Sequence, residues 1–451
     1  MSTSARRAIA AAESAPEVGA GPGEDAVGSA GRRTQEVAAR REAALAEAVD
    51  RPTLEAVALA DQPSLEAGAH RARALIARAR AEGSLPPPEL MSEIWQVPLS
   101  APYRLDKAGM IMISLRQQIP APGSLDLTAE ATALEARAAA TVVAVDARSL
   151  VREIDRAFAD YVETTERHRA HLAHRAIVER MVAVAGARYP AGAPLGDLTK
   201  ADLERTRLEV DVARERGAVA EVRARLNGLL ARPMDAPLGA PRDDAPETVA
   251  PSAHERLRDA AAKNPQIATA DLMHQAAETS ARALDREATL PSFMVGLDYF
   301  HPVRSMPVGW GASLSMSLPW VWGAASSRAE SAGQRALAER AAIRGVRVRV
   351  DAEFMRALAA VDAAAQRFVL LRDLTRPAAQ RALDAAQAGY SGGGTTLLAW
   401  LDAERSSLDV EVEIQAARAD LARALADLDW AAGERVARAP LPAAKEVSHE
   451  R

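Results

Sequence analysis

The stretch "WGASLSMSLP", residues 310–319, alternates apolar side chains at even positions with glycine or serine at odd positions up to 317. This period of two is typical of a β-strand with one apolar and one polar face. The rest of the chain is rich in alanine, arginine and glutamate, which favour helices. The role of a few strands in an otherwise helical chain therefore decides the fold.

The 451-residue chain carries a formal net charge of -5 and has no cysteine. This near-balanced charge gives no basic surface for nucleic acid. The lack of cysteine excludes disulfides, thiolate metal sites and a cysteine nucleophile. The sequence also lacks a phosphate-binding loop after a strand, a His-Glu-x-x-His motif and a nucleophile elbow. We therefore predict neither an enzyme nor a cofactor site.

The sequence has no uninterrupted apolar run of the ~18 residues that a membrane-spanning helix needs. At the N-terminus, Arg6 and Arg7 precede a short alanine-rich run that ends before Glu13. That run is too brief for the apolar core of a signal peptide. A membrane role must therefore come from strands.

The chain resembles itself at a spacing of about 200 residues, which indicates an internal repeat. Three pairs of similar segments occur in the same order, anchored at Pro63 and Pro265, at Pro120 and Pro319, and at Tyr189 and Tyr390. We therefore predict two structural repeats, 52–231 and 253–436, with a proline-rich linker at 232–252, a low-complexity N-terminal lead at 1–51 and a disordered tail at 437–451.

Each repeat is predicted to contain a helix, two strands, a long helix, a glycine-containing tip and a second long helix. The predicted strands are about 89–98, 109–119, 292–300 and 309–319, and the predicted long helices are 124–185, 197–230, 326–388 and 397–436. The first long helix would approach ~90 Å at about 1.5 Å per residue. Pro377 should kink or interrupt the third, because proline removes a helical hydrogen bond. Abundant alanine favours close packing as an antiparallel, coiled-coil-like bundle.

The strands have the length and the two-faced pattern of a transmembrane barrel wall. We predict that the polar face meets water in a lumen, through Ser114, Arg116, Gln118, Ser313, Ser315 and Ser317. We predict that the apolar face meets lipid, through Trp310, Leu314, Met316 and Leu318. The alternation is looser around 90–97, where Glu89 and Glu93 share a face with Trp95.

Four strands cannot close a barrel, and open strand edges are not tolerated in lipid. Closure would need further copies of the chain, and three copies would supply twelve strands with cyclic symmetry. The alternative is a soluble, elongated helical scaffold or adaptor without pore activity, in which the hairpins are ordinary strand insertions.

Over roughly residues 52–435 the chain resembles the TolC-type outer-membrane efflux channel family. The marks are the twofold repeat, the order of helices and strands, and a tip pattern of Tyr, Gly and Leu at Tyr189, Gly192 and Leu195 and again at Tyr390, Gly393 and Leu397. The segments "LPPPELMSEIWQVPL" and "QQIPAPGSLD" look like the heavy-metal efflux branch of that family.

The resemblance implies a homotrimer with a twelve-strand barrel in the bacterial outer membrane and a twelve-helix tunnel in the periplasm. It further implies docking to a periplasmic membrane-fusion adaptor and an inner-membrane transporter. The channel would be a passive exit duct for substrates, with metal cations suggested by the heavy-metal branch.

Family position also implies roles for individual residues. Asp402 falls on one acidic position of the periplasmic gate, while Ala399 occupies the other; the alternative for Asp402 is a solvated helix carboxylate. The tips, through Gly192, Leu195, Gly393 and Leu397, are the expected adaptor contacts. The alternative for the tips is turn chemistry alone, since glycine permits the left-handed backbone that reverses a helix. We expect Trp400 to pack between helices rather than touch cargo.

The segment "HRAHLAHR" places three histidines, His168, His171 and His174, on one predicted helix. In a metal exporter this suggests a metal site, but His168 and His174 diverge by roughly 120° around the helix, which hinders a shared ion. The three histidines are therefore weak metal candidates, and the alternative is a solvated helix face.

Overall fold

The computed structural model describes residues 3–13, 41–97, 99–100, 102–104, 106, 108–242, 245–250, 254–303 and 307–441. The chain divides into two compact units. Unit 1 comprises Met1–Val18, Ala67–Ala144 and Pro265–Arg347, and unit 2 comprises Gly19–Glu66, Val145–Asn264 and Val348–Arg451. Each unit thus takes residues from both sequence repeats.

Helices dominate the described residues, as the composition predicted, so the mainly helical fold class with a small strand part is confirmed, and closure into a trimeric barrel stays a prediction. The helices are α1 (Thr3–Glu13), α2 (Arg51–Asp61), α3 (Pro63–Glu82), α4 (Ser124–Arg188), α5 (Leu195–Leu229), α6 (His254–Ala262), α7 (Pro265–Thr289), α8 (Ala324–Leu370), α9 (Arg376–Ser391) and α10 (Leu397–Ala432). Residues 41–47 are also helical. None of the helices within the described ranges is both long enough and apolar enough to cross a membrane.

The strands are β1 (Ala48–Val49), β2 (Glu89–Trp95), β3 (Met110–Ile119), β4 (Ala240–Pro241), β5 (Glu247–Val249), β6 (Phe293–Pro302), β7 (Gly309–Met316) and β8 (Arg438–Pro440). In unit 1, β2, β3, β6 and β7 form an antiparallel four-stranded sheet in that order. In unit 2, β1 pairs with β4 in parallel and β5 pairs with β8 antiparallel.

The interruption predicted at Pro377 is present. A π-helical turn at Leu371–Thr375 separates α8 from α9, and Pro377 is among the first residues of α9. Proline has no N–H to donate, and its ring crowds the carbonyl four residues earlier, so the preceding turn widens. The predicted helix at 326–388 is therefore two helices.

The three segments predicted as the N-terminal lead, the linker and the tail each contain some regular structure. Residues 438–440, expected in a disordered tail, form β8, where Arg438 is anchored by Asp429 at 2.6 Å. The predicted linker contains β4 and β5, and the predicted N-terminal lead contains α1, whose Ile9 packs on Ala79 and Ala133 in unit 1. These pairings join segments far apart in sequence, so local composition did not indicate them. Residues 14–40 and 442–451 of the lead and tail lie outside the described residues.

Candidate functional site

The four-stranded sheet of unit 1 has an exposed apolar face. On β7, Trp310, Leu314 and Met316 are 77%, 72% and 52% exposed, and they pair with Tyr299, Val295 and Phe293 of β6. The same face continues across β3 and β2 through the exposed Ile113, Leu115, Leu90 and Ile94. A sheet in water buries this face instead, so the exposed apolar band indicates a surface for lipid or protein.

The opposite face is polar and contains buried groups. Ser114 is fully buried beside Asp298, which is 8% exposed. Arg116 pairs with Gly296, which in turn pairs with Ser313, so the predicted lumen residues Arg116 of β3 and Ser313 of β7 share one face. Gln118 and Ser315 flank Met294 on the same side. The predicted division of the strands into two faces is present, and contact with lumen water or lipid stays a prediction.

The last predicted strand ends early. The predicted strand 309–319 stops at Met316, so Ser317 and Leu318 lie beyond β7. The Ser317 and Ser292 hydroxyls are 2.8 Å apart, and the Ser317 amide donates to the Ser292 carbonyl at 2.9 Å. Pro319 follows, and proline cannot donate to a ladder. Both predicted site residues therefore belong to the junction between sheet and helix.

The irregular alternation around Trp95 has a local explanation. Trp95 lies on the polar face with Glu93, and its indole Nε1 donates to Glu93 Oε2 at 2.9 Å. An indole offers one polar handle on a large apolar body. Trp95 therefore fits the polar face through its N–H.

The two helical tips of unit 2 depend on glycine. Gly192 has φ +95° and Gly393 has φ +82°, a left-handed conformation that side chains with a Cβ adopt only with strain. The amide of Gly192 donates to the Tyr189 carbonyl, and that of Gly393 to the Tyr390 carbonyl, each at 3.1 Å. The repeated tip pattern thus encodes the same reversal twice.

A single tyrosine joins the two tips. The Arg188 guanidinium lies 4.7 Å from the centre of the Tyr390 ring and donates to the Tyr390 carbonyl. The Tyr390 hydroxyl donates to Asp197 Oδ2 at 3.3 Å. Burial, with the Asp197 charge, raises the pKa of Tyr390 and keeps the hydroxyl a donor. Tyr390 therefore bridges the end of α4 and the start of α5.

Behind the tips is an apolar group that we call the tip cluster, formed by Met181, Ala185, Ala201, Leu383, Tyr390, Leu397, Trp400 and Leu401. Trp400 is fully buried, and its ring centre lies 5.6 Å from that of Tyr390. The expected packing of Trp400 between helices is confirmed. The cluster holds α4, α5, α9 and α10 together.

One predicted tip contact is wrong as a side-chain contact. Leu397 is fully buried in the tip cluster, so its side chain offers nothing to a partner. Leu195 is 54% exposed at the first tip, and Leu398 is 52% exposed at the second. The helical rotation of about 100° per residue turns Leu398 away from the cluster. Leu398 replaces Leu397 as the candidate contact.

Asp402 lies in the second turn of α10 with an exposed side chain. The two residues Glu404 and Arg405 that follow nearby have partners that the sequence analysis missed. Glu404 is 2% exposed, and its Oε1 lies 2.9 Å from His174 Nδ1. Arg405 Nε donates to Glu204 at 2.9 Å, and this bond lowers the pKa of Glu204. Such pairs lie 200 residues or more apart in sequence, so no local spacing could reveal them.

The histidines do not form a joint site. His174 is buried against Glu404, which contradicts a solvated face at that position. Burial lowers the pKa of His171, so its neutral form is favoured. Across the described ranges, no three His, Cys, Asp or Glu residues are grouped so that they could hold a metal ion. The weak metal hypothesis for His168, His171 and His174 therefore gains no support.

Unit 2 also contains a buried acid away from the tips. Asp155 is 6% exposed, and burial, followed by a hydrogen bond with Glu55, raises its pKa from 3.8 to about 8. The charges of Arg51 and Arg435 act in the opposite direction. Between these two pKa values the folded chain holds the Asp155 proton, whereas the unfolded chain releases it. The contribution of Asp155 to the free energy of unfolding is therefore fully present below about pH 4 and is lost as the pH rises towards about 8.

We expect the free energy of unfolding to fall as pH rises from 5 to 8, because Asp155 loses the proton that it holds in the folded chain. Asp155→Asn, which stays neutral, should flatten that dependence, whereas Asp202→Asn on an exposed helix face should not. Thermal unfolding of each variant at several pH values measures the pH dependence of its stability. An unchanged slope in Asp155→Asn contradicts the assignment.

Comparisons with known proteins agree with this geometry. Residues 257–434 match the family model described as outer membrane efflux protein. No curated protein sequence matches the chain. A membrane protein from Pseudomonas aeruginosa has a similar structure, with 21% identity, a TM-score of 0.73, and coverage of 85% of this chain and 93% of that one.

Two further solved structures are similar. The Campylobacter jejuni CmeC outer membrane channel is 14% identical, with a TM-score of 0.71 and 89% of each chain covered. The outer membrane protein VceC from Vibrio cholerae is 17% identical, with a TM-score of 0.69, and the match covers 85% of this chain and 96% of that one. At these sequence identities the likeness shows the fold alone. The resemblance of the chain to the heavy-metal efflux branch stays a prediction. Residues 257–434 therefore match an outer membrane efflux protein domain, and the chain shares the fold of these outer-membrane channel structures.

Proposed function

We propose that the protein is the outer-membrane duct of a tripartite exporter and works as a homotrimer. The observation that carries this proposal is the sheet of unit 1, one face of which exposes apolar side chains such as Trp310 and Leu314, while the other exposes the polar side chains of Gln118, Ser313 and Ser315. Lipid on the outside and a polar lumen inside account for both faces. A soluble scaffold would leave the apolar band in water, and the comparisons give that alternative no support.

Trimer formation follows from the edges of the sheet. Within the described sheet, β2 and β7 each pair on one side only. Unpaired backbone groups in lipid cost several kcal/mol each. Pairing β7 of one copy with β2 of the next would remove both edges, and three copies would give a twelve-stranded barrel and a twelve-helix tunnel.

Transport through this duct needs no chemistry from the chain. Substrate, with metal cations as the candidate cargo, would pass through a polar lumen along Arg116 and the serines of β7. The inner-membrane transporter would supply the energy, and the periplasmic adaptor would join the two. We accordingly assign the chain no catalytic role and no resident cofactor.

The deciding experiment is the particle mass of detergent-extracted protein, expressed behind a working export signal and measured by light scattering. A trimer from the outer-membrane fraction that conducts ions in planar bilayers supports the proposal. A monomer or dimer that is stable without detergent refutes it.

For the tips, we propose that Leu195 and Leu398 contact the periplasmic adaptor. Each is about half exposed beside a glycine-based turn, so a partner helix could cover it. Leu398→Asp should weaken adaptor binding by about tenfold, the effect of one buried leucine. Leu374→Asp, equally exposed away from the tips, is the control. Surface plasmon resonance with a reconstituted adaptor measures both, and equal losses would remove the tip assignment.

For the gate, we propose that three copies of Asp402 form a carboxylate ring in the closed tunnel. Charge rings in narrow pores favour cations and repel one another. Asp402→Asn should lower the cation-to-anion permeability ratio at least about twofold. In this variant the ratio should no longer depend on the external salt concentration. Asp384→Asn on exposed α9 is the control. Reversal potentials in planar bilayers report the ratio, and an unchanged value places Asp402 outside the constriction.

A further inference from the structure

The turn that follows β7 carries exposed aromatic side chains. Trp320 and Trp322 are 54% and 90% exposed, and Val321 between them is half exposed. They lie beyond Met316, the last residue of β7, which is an edge strand of the described sheet. Apolar groups of this size beside an unpaired strand edge indicate a contact surface.

The predicted first repeat has a corresponding turn after β3, but without the aromatic side chains. Pro120 begins that turn and is followed by Ala121, which is buried, whereas Pro319 is followed by Trp320. β3 lies inside the described sheet, and β7 lies at its edge. The aromatic side chains thus follow the edge strand, and a small buried residue follows the inner strand.

The turn after β3 lies beside the segment that leads into β6. Ile119, the last residue of β3, pairs with Phe293, the first residue of β6. Beyond this pair, Ala121 of the turn and Leu290 of the segment line one cavity of about 540 Å³. The turn after one strand therefore meets the segment before its antiparallel neighbour, beyond the end of the ladder.

The proposed homotrimer would repeat this junction between copies. The four strands alternate in direction, so the end of β7 and the start of β2 lie at the same end of the sheet. If β7 of one copy pairs with β2 of the next, β7 takes the place of β3, and β2 takes the place of β6. The turn at 319–323 would then meet the segment at 85–88 of the next copy.

The segment before β2 suits such a contact. Leu85 is 58% exposed, and the exposed Pro87 and Pro88 precede the first residue of β2. Gln117 Nε2 donates to the Pro86 carbonyl at 2.8 Å and so holds the segment beside β3. Consecutive prolines favour the polyproline II conformation. Proline-rich segments of that kind bind surfaces lined by aromatic side chains.

The corresponding segment of the predicted second repeat differs at one informative position. Leu290–Pro291 corresponds to Leu85–Pro86, but the next residue is Ser292, whose amide donates to Ser317 Oγ at 3.1 Å. The inner strand thus keeps a backbone donor where the edge strand has Pro87. Because proline cannot donate to a ladder, contact at this edge depends on side-chain packing.

We propose that Trp320 and Trp322 of one copy pack on the segment 85–88 of the next copy. This inference rests on the proposed homotrimer and adds a contact that strand pairing alone does not require. The indole rings would cover the proline rings and Leu85, and so bury apolar surface that a single chain exposes. The contact would hold the ends of β7 and β2 together where no ladder hydrogen bond can form.

Cross-linking tests the proximity of the two segments, and the natural chain has no cysteine to interfere. Val321→Cys combined with Ser84→Cys flanks the contact and keeps the tryptophans and prolines. Treatment of the detergent-extracted protein with a short bis-methanethiosulfonate reagent should give covalent trimers on a denaturing gel. In the matched control, Arg71→Cys on an exposed site of α3 replaces Ser84→Cys, and we expect monomers.

A second cysteine pair separates this contact from the trimer itself. Ala312→Cys with Ser92→Cys probes the edges of β7 and β2, which the homotrimer would pair. Covalent trimers from this pair, without any from Val321→Cys with Ser84→Cys, would overturn the contact and leave the homotrimer standing. Monomers from both pairs would overturn the homotrimer and the contact with it.

A double-mutant cycle tests whether the tryptophans touch the prolines. Trp320→Ala with Trp322→Ala should raise the dissociation constant of the trimer at least about tenfold, because buried aromatic side chains carry much of the binding energy of an interface. Pro87→Ser alone should also weaken the trimer, but it should have little further effect once the tryptophans are absent. Analytical ultracentrifugation in detergent measures all three. If Pro87→Ser has its full effect without the tryptophans, their partner is another surface, such as lipid, and the proposal is overturned.

Discussion

Leu314→Arg is expected to abolish the membrane-inserted trimer. Leu314 is 72% exposed on the apolar face of β7, opposite Val295. An arginine facing lipid near the bilayer midplane costs about 2–4 kcal/mol per chain, and a trimer would contain three. Folded protein in the outer-membrane fraction should therefore fall to a small share of the normal amount. Membrane fractionation followed by native gel electrophoresis measures this loss.

The next residue along the strand is the matched control. Ser315 points to the opposite face and pairs with Met294. Ser315→Arg adds the same charge to the same strand, but towards the proposed aqueous lumen. We expect the trimer to persist and its conductance to change. If both arginine variants assemble equally well, the lipid-facing assignment is wrong.

The second large effect is expected at Trp400. Trp400→Ala removes a fully buried indole from the tip cluster, next to the bridging ring of Tyr390. Truncating a buried tryptophan costs about 3–5 kcal/mol, because the neighbours only partly fill the cavity. We expect a clear fall in the melting temperature of the helical circular-dichroism signal, and an increase in ion leak as the helices around the tips separate.

Leu398→Ala is the control for this prediction, since Leu398 is half exposed two residues earlier on the same helix. It should change the melting temperature little. Trp400→Phe should lie between the two, because it keeps most of the ring, and the indole N–H has no partner within the described protein to lose. Equal melting temperatures for Trp400→Ala and Leu398→Ala would show that the tip cluster does not stabilise the helices.

Local chemistry explains what the sequence predicted correctly. The alternation at 310–316 identified β7 because successive side chains of a strand point to opposite faces. Pro377 predicted a kink or interruption of the helix because a missing N–H and a crowding ring act within one turn. Glycines at the two tips predicted helix reversal because glycine permits the left-handed backbone that reverses a helix. Each of these features depends on neighbours a few residues away.

The burial of particular side chains was not predictable in this way. Leu397 and Leu398 are adjacent leucines, yet packing of four helix segments buries the first and exposes the second. The Glu404–His174 pair and the Asp155–Glu55 pair bring together residues far apart in sequence. The sequence by itself determined the two-faced strands and the glycine-based tips, because periodicity and turn chemistry are local. Only the tertiary structure decided which charged and polar groups meet, because that depends on the packing of segments distant in sequence.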